Sequence, residues 1–108
     1  MTSLIGKSFK VIVDRPLGSV HPNFPDLVYE INYGYIEGII AADGEEQDAY
    51  ILGVDEAVSE YEGKLIAIIR RLNDVENKWV ISNENFSKDE ILDKVKFMEK
   101  FFKIEILM

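Results

Sequence analysis

Helical periodicity occurs once in this chain of 108 residues, and it comes near the end. Ser87-Lys88-Asp89-Glu90 reads as a capping box, in which the serine hydroxyl and the Glu90 carboxylate satisfy the first free amides of a helix. Ile91, Val95, Met98 and Phe102 follow at helical spacing, with Leu92 and Phe101 beside them. They are read as core, and Asp93, Lys94, Lys96, Glu99 and Lys100 as the solvent face. Upstream, β-branched and aromatic runs are broken by turn signals. Residues 9–14, 27–31, 35–40, 49–52, 64–72 and 78–81 read as strands. Arg15-Pro16-Leu17-Gly18 is a turn signal, and the chain from there to Asp26 reads as loop. Residues 55–61 suit a short helical turn, and 104–108 suit either a last helical turn or a strand. The short connection 73–77 predicts an antiparallel hairpin. Five or six short strands with one late helix predict a mainly β fold, either a compact antiparallel sheet or a small barrel.

The length suits a single domain over 1–108, and 47% hydrophobic residues supply its core without disulfides. No cysteine is present, which fits a reducing cytoplasm. The opening MTSLIGKSFK lacks the apolar stretch of a signal peptide, and no apolar run approaches the roughly 20 residues that span a bilayer. A cytoplasmic protein without membrane contact is expected. Net charge is −8, from 20 acids and 12 bases, which speaks against unaided nucleic-acid binding.

The acids are unevenly spread. Asp43, Glu45, Glu46 and Asp48 fall together after a tight Asp43-Gly44 turn. With a side-chain period of two, Asp43 and Glu45 project to one side and Asp48 rejoins them on the next strand, so three carboxylates are expected to converge. Two carboxylates about 4 Å apart repel by roughly 4 kcal/mol at an effective dielectric of 20. Such a group takes up a proton, splays into water as a solvated turn, or binds a hard cation such as Mg2+. A second group, Asp74, Glu76 and Lys78, sits at the tip of the predicted hairpin, where it is either ordinary charge complementarity or a ligand set. An EF-hand fails, because the sixth and twelfth positions from Asp43 hold Asp48 and Val54. No phosphate-binding GxxxxGK[ST] loop occurs, and the lone His21, beside Pro22, excludes a histidine-rich zinc site and reads as a surface residue.

NYGYI at residues 32–36, followed by DGEEQDAYILG at 43–53, resembles the substrate-and-metal segment of the family I soluble inorganic pyrophosphatases. The likeness runs from about Val11 to Ile81, with a weaker match in the final helix. The family's D-x-D-x-x-D signature reads here Asp43, Glu45, Asp48. The resemblance implies a shortened member with a small OB-like closed β-barrel and a C-terminal helix. It implies Mg2+-dependent hydrolysis of pyrophosphate by a metal-activated water, with Mn2+ as the alternative metal. Asp43, Asp48, Asp74 and Glu76 would be metal ligands, and Glu45 the carboxylate that deprotonates the water. Tyr33 and Lys78 would contact phosphate, as would Lys103 after a Phe-Phe that replaces the family's tyrosine. Asp14 stands where the family has an acid near the site.

Two departures accompany the likeness. The segment between Pro16 and Tyr29 is short, which implies loss of a hairpin carrying a phosphate-gripping Lys and Arg; Arg15, Lys10 and Arg71 are the candidates to replace them. Glu45 is one methylene longer than the family's Asp, and misplacement on the ångström scale can cost on the order of 100-fold. The alternatives are therefore a phosphate- or nucleotide-binding or regulatory module that lost turnover, and a hydrolase of another phosphoanhydride. A homo-oligomer is left open.

Overall fold

A computed structural model describes residues 2–108. After a 3-10 turn at Thr2–Leu4, the strands are β1 (Ser8–Arg15), β2 (Val20–His21), β3 (Phe24–Val28), β4 (Asn32–Ile40), β5 (Glu46–Ile51), β6 (Glu60–Arg71), β7 (Asn77–Ser82) and β8 (Ile104–Leu107), with helix α1 (Lys88–Glu99) before β8. Hydrogen bonding runs β1-β4-β5-β7-β6, and β1 also pairs with β6, which closes a five-stranded barrel. Of these pairings only β5 with β7 is parallel. β8 adds to the free edge of β6, and β2 with β3 forms a separate ribbon. The mainly β barrel with a late helix is the architecture that the strand spacing and the family likeness predict.

Two apolar layers follow from strand alternation. Val11, Ile36, Ala49, Ile51, Leu65, Ile68, Trp79 and Ile81 come from all five barrel strands and fill the interior. Tyr50, Leu52, Ala67, Ile69 and Val80 face outward, where Ile91, Val95 and Phe97 of α1 and Ile106 of β8 cover them. Leu65 and Ile68 both point inward although three residues apart, which strict alternation forbids. A register shift between Leu65 and Ala67 supplies the extra residue. The long β6 can thus pair with β1 through residues 60–64 and with β8 through 68–71.

The capping box forms as expected: the Ser87 side chain accepts from Glu90 N, and the Glu90 carboxylate accepts from Ser87 N. The helix ends earlier than its apolar spacing predicts. Lys100 is its C-cap, so Phe101 and Phe102 lie beyond it. Leu92 and Phe101 are exposed, whereas Phe97 is buried edge-on against Tyr29 and Tyr50. Glu99, expected on the solvent face, is buried. Residues 55–59 form irregular chain leading into β6, not a helical turn. The predicted strand at 27–31 lies three residues late: β3 is Phe24–Val28, folded on β2. The chain from 16 to 26, read as loop, therefore contains part of a small ribbon. Among the described residues no helix is long and apolar enough to cross a membrane.

Candidate active site

The NYGYI segment starts β4 and brings three strands together. Gly34 faces β1 so closely that a Cβ there would lie 1.9 Å from the Ile12 carbonyl oxygen. Asn32, fully buried, accepts at Oδ1 from Leu17 N at 2.9 Å and Val58 N at 3.3 Å, and donates from Nδ2 to Glu56 O at 2.9 Å. One side chain thus fastens two loops to the barrel mouth. Between these anchors Tyr33 pairs with Tyr50 of β5, and Tyr35 with Asp48.

Lys78 follows from β7 alternation: Trp79 points into the barrel, so Lys78 and Val80 point out. Lys78 is only 4% exposed. The ammonium donates to Tyr33 Oη at 2.8 Å, Asp48 Oδ2 at 2.6 Å and Glu76 Oε1 at 2.9 Å. Glu76 is held from its other side by Arg71 Nη1 at 3.0 Å. Arg71 makes a fork with Glu99, Nε to Oε1 at 3.0 Å and Nη2 to Oε2 at 2.8 Å, and its guanidinium carbon lies 3.7 Å from the Phe102 ring centre. The Tyr50 hydroxyl completes the network by donating to Glu99 Oε2 at 2.6 Å. Nearby, Arg15 Nη1 donates to Tyr29 Oη at 2.9 Å. Among the described residues every buried side-chain polar atom has a partner.

Burial, reinforced by the Asp48 charge, raises the Tyr33 phenol above its ordinary value, so it stays protonated and serves as a donor. Burial and the Glu99 carboxylate do the same to Tyr50. Burial works against the Arg71 charge, but the hydrogen-bonded Glu99 outweighs it and the guanidinium is raised. The Asp14 carboxyl is also raised, by burial against the opposing pull of Arg15.

All of these groups except Glu99 line one cleft of about 810 Å3 between the barrel, the β2–β3 ribbon and the end of α1. Of the residues predicted from sequence, it gathers Arg15, Tyr33, Asp48, Glu76 and Lys78, together with Asp14 and Arg71. The others lie elsewhere. Asp43 and Glu45 are exposed in the β4–β5 turn, where Asp43 Oδ1 accepts from Glu45 N at 3.0 Å. The expected convergence of Asp43, Glu45 and Asp48 is therefore not present. A register shift around Gly38, whose amide is capped by Glu46 at 3.2 Å, separates the hairpin tip from the regular pairing of Asp48. Asp74 is exposed in the next turn and accepts from Glu76 N at 3.3 Å. Lys103 is exposed outside the cleft lining, and Lys10 pairs with Glu60 on the open surface at 3.1 Å. Among the described residues no three His, Asp or Glu side chains gather into a set able to hold a metal by themselves.

The Glu99–Arg71–Tyr50 network was not anticipated, yet it left a signal. Glu99 continues the i, i+4 series of Ile91 and Val95. Arg71 continues the alternation of Ala67 and Ile69. A charge on an apolar stripe is informative when a second stripe supplies its partner.

No protein-family model matches the sequence, and no curated protein matches it. The fold is similar to solved inorganic pyrophosphatases. That of Ehrlichia chaffeensis aligns with a TM-score of 0.70 at 15% identity, over 94% of this chain and 85% of that one. That of Coxiella burnetii gives 0.66 at 14% identity, over 92% and 83%. That of Helicobacter pylori gives 0.58 at 17% identity, over 93% and 82%. At these identities the likeness is one of fold.

Proposed function

We propose that the protein hydrolyses inorganic pyrophosphate with Mg2+, using the cleft around Lys78. One observation carries this reading: a buried ammonium held by a tyrosine and by two carboxylates from separate elements, Asp48 on β5 and Glu76 in the turn before β7. The similarity of fold to inorganic pyrophosphatases supports it. The donor set fits Mg2+ in the mode where one or two carboxylates act together with substrate phosphate oxygens. Asp48 and Glu76 would hold it, with Mn2+ the alternative. When bound, the ion supplies charge neutralisation and a more acidic water.

The side chains divide the remaining work. Lys78 and Arg15 supply positive charge for the phosphoryl oxygens. Tyr33, kept protonated, donates to a phosphate oxygen while accepting from Lys78. Asp48, the more exposed of the two carboxylates, takes the proton of the attacking water, the role that the family likeness gave to Glu45. Arg71 orients Glu76 from behind. Asp43, Glu45, Asp74 and Lys103 do not line the cleft and are given no part in this scheme.

The test is phosphate release from pyrophosphate with millimolar Mg2+. Asp48→Asn is expected to lower kcat by about 100- to 1,000-fold, the cost of removing one group that acts on the transition state. Wild-type release no faster than a buffer control, or an Asp48→Asn variant as fast as wild type, overturns the reading. The exposed position of Asp43 and Glu45 favours a second one, a phosphate-binding module without turnover. Pyrophosphate binding without phosphate release would select it.

A further inference from the structure

We propose that the cleft is a nucleotide site: the terminal phosphates of a nucleoside diphosphate or triphosphate lie at Arg15 and Lys78, and the nucleobase lies at a mouth formed by Phe24 and Phe101. This rests on the phosphate reading above and extends it to a substrate class. Pyrophosphate is polar over its whole surface and has nothing to set against an apolar wall. The cleft, at about 810 Å3, falls in the range of roughly 300–1,000 Å3 that holds whole organic ligands.

Its two halves differ in chemistry. The inner half carries Lys78, Arg15, Asp48 and Glu76. Phe24 and Phe101 line the cleft's exposed part, while Leu27 and Met98 line it from the core against which they pack. Phe24 is 61% exposed and Phe101 65% exposed, so both rings face water while lining the cavity that contains the ammonium. Lys100 Nζ lies 5.4 Å from the Phe101 ring centre, which adds a cation where an aromatic ligand would stack. Asp26, on the same ribbon as Phe24, lines the cleft and offers a carboxylate to sugar hydroxyls. Stacking on exposed aromatic rings tolerates any base, because every base has a π-face. Cations inside and rings outside match the order of parts along a nucleoside phosphate. A second copy of the chain is a poorer occupant, since each copy carries a net charge of −8 and the two would repel.

The test is calorimetric titration of the full chain, in Mg2+, with non-hydrolysable analogues of ADP and, separately, of pyrophosphate, on wild type and on the double substitution Phe24→Ser/Phe101→Ser, with phosphate release from pyrophosphate read in parallel. Both side chains are exposed, so the substituted barrel keeps its core. The ADP analogue is expected to bind wild type more tightly than the pyrophosphate analogue. The ratio of the two affinities is expected to fall by about 5- to 150-fold in the variant, the range measured for loss of base stacking. If the pyrophosphate analogue binds and pyrophosphate is cleaved but the ratio is the same in both proteins, the nucleotide inference fails while the phosphate reading stands. If neither ligand binds, both fail. Sedimentation that finds a wild-type dimer dispersed by the two substitutions identifies the mouth as a self-association surface and overturns the inference.

Discussion

At the scale of single residues, the molecule turns on charges placed where apolar side chains are expected. Arg71 is 6% and Glu99 2% exposed, and each satisfies the other through a two-bond fork. Removing one partner strands the other charge in a dry setting, so Glu99→Ala is expected to destabilise the protein by about 3 kcal/mol, read from its urea midpoint. A cost under about 1 kcal/mol would mean that water already reaches the pair. Tyr50 gives a separate test. Its folded-state value lies above the ordinary 10.0, so its contribution is fully present below pH 10 and is lost as pH rises beyond it. Above that pH the unfolded chain releases the phenolic proton while the folded chain retains it, and stability falls. Tyr50→Phe is expected to make the fall of unfolding free energy above pH 10 shallower by one proton per molecule, whatever its effect at neutral pH. An unchanged slope would refute the assignment. Lys78, Tyr33, Asp48 and Glu76 were grouped in advance by the family likeness, and in the structure they meet at one ammonium. The displacement of Asp43 and Glu45 was not legible, because side-chain parity cannot register a bulge between Ile36 and Ile40.

At the scale of elements, local chemistry was legible where it closed on itself. The start of α1 needs only Ser87 and Glu90, three positions apart, and the structure begins the helix there. Its end was not legible, because Phe101 and Phe102 continue an apolar spacing that the chain abandons at Glu99. Phe102 is drawn instead to the face of Arg71, a tertiary contact that outweighs helical periodicity. The short ribbon β2–β3 was hidden for a similar reason: with two residues in one strand and Pro25 in the other, it has too few positions to show alternation. Gly34 carries the opposite lesson. It appeared only as one letter of a motif, but its contact with the Ile12 carbonyl sets how closely β1 and β4 can approach. Gly34→Ala must part those backbones and is expected to cost on the order of 3 kcal/mol, the upper part of the range for overpacking. Chemical denaturation would measure it, and a loss below about 0.5 kcal/mol would show that the barrel seam is loose.

At the scale of the whole molecule, the strands were legible one by one from their spacing, whereas closure was legible only through the family likeness. It depends on β1 meeting β6 across a long stretch of chain, and on the shift at Leu65–Ala67 that lets β6 serve three neighbours. The parallel pairing of β5 with β7 brings Asp48 to the ammonium that Glu76 also holds, and this arrangement predicts how metal affects stability. With the described acids forming no set of three, and with Lys78 holding the two that meet, Mg2+ alone has few ligands to gain and an ammonium to displace. On the proposed reading, bound pyrophosphate would supply further oxygen ligands and give Lys78 and Arg15 a new partner. Mg2+ and pyrophosphate together should therefore stabilise the fold far more than either alone. At 100 times the dissociation constant of the complex, the gain is about 2.7 kcal/mol. A non-hydrolysable analogue of pyrophosphate keeps the ligand intact during a melting scan, and Asp48→Asn should remove most of the shift. A full shift with Mg2+ alone would require a metal cage that these side chains do not form, and would move the metal site away from Lys78.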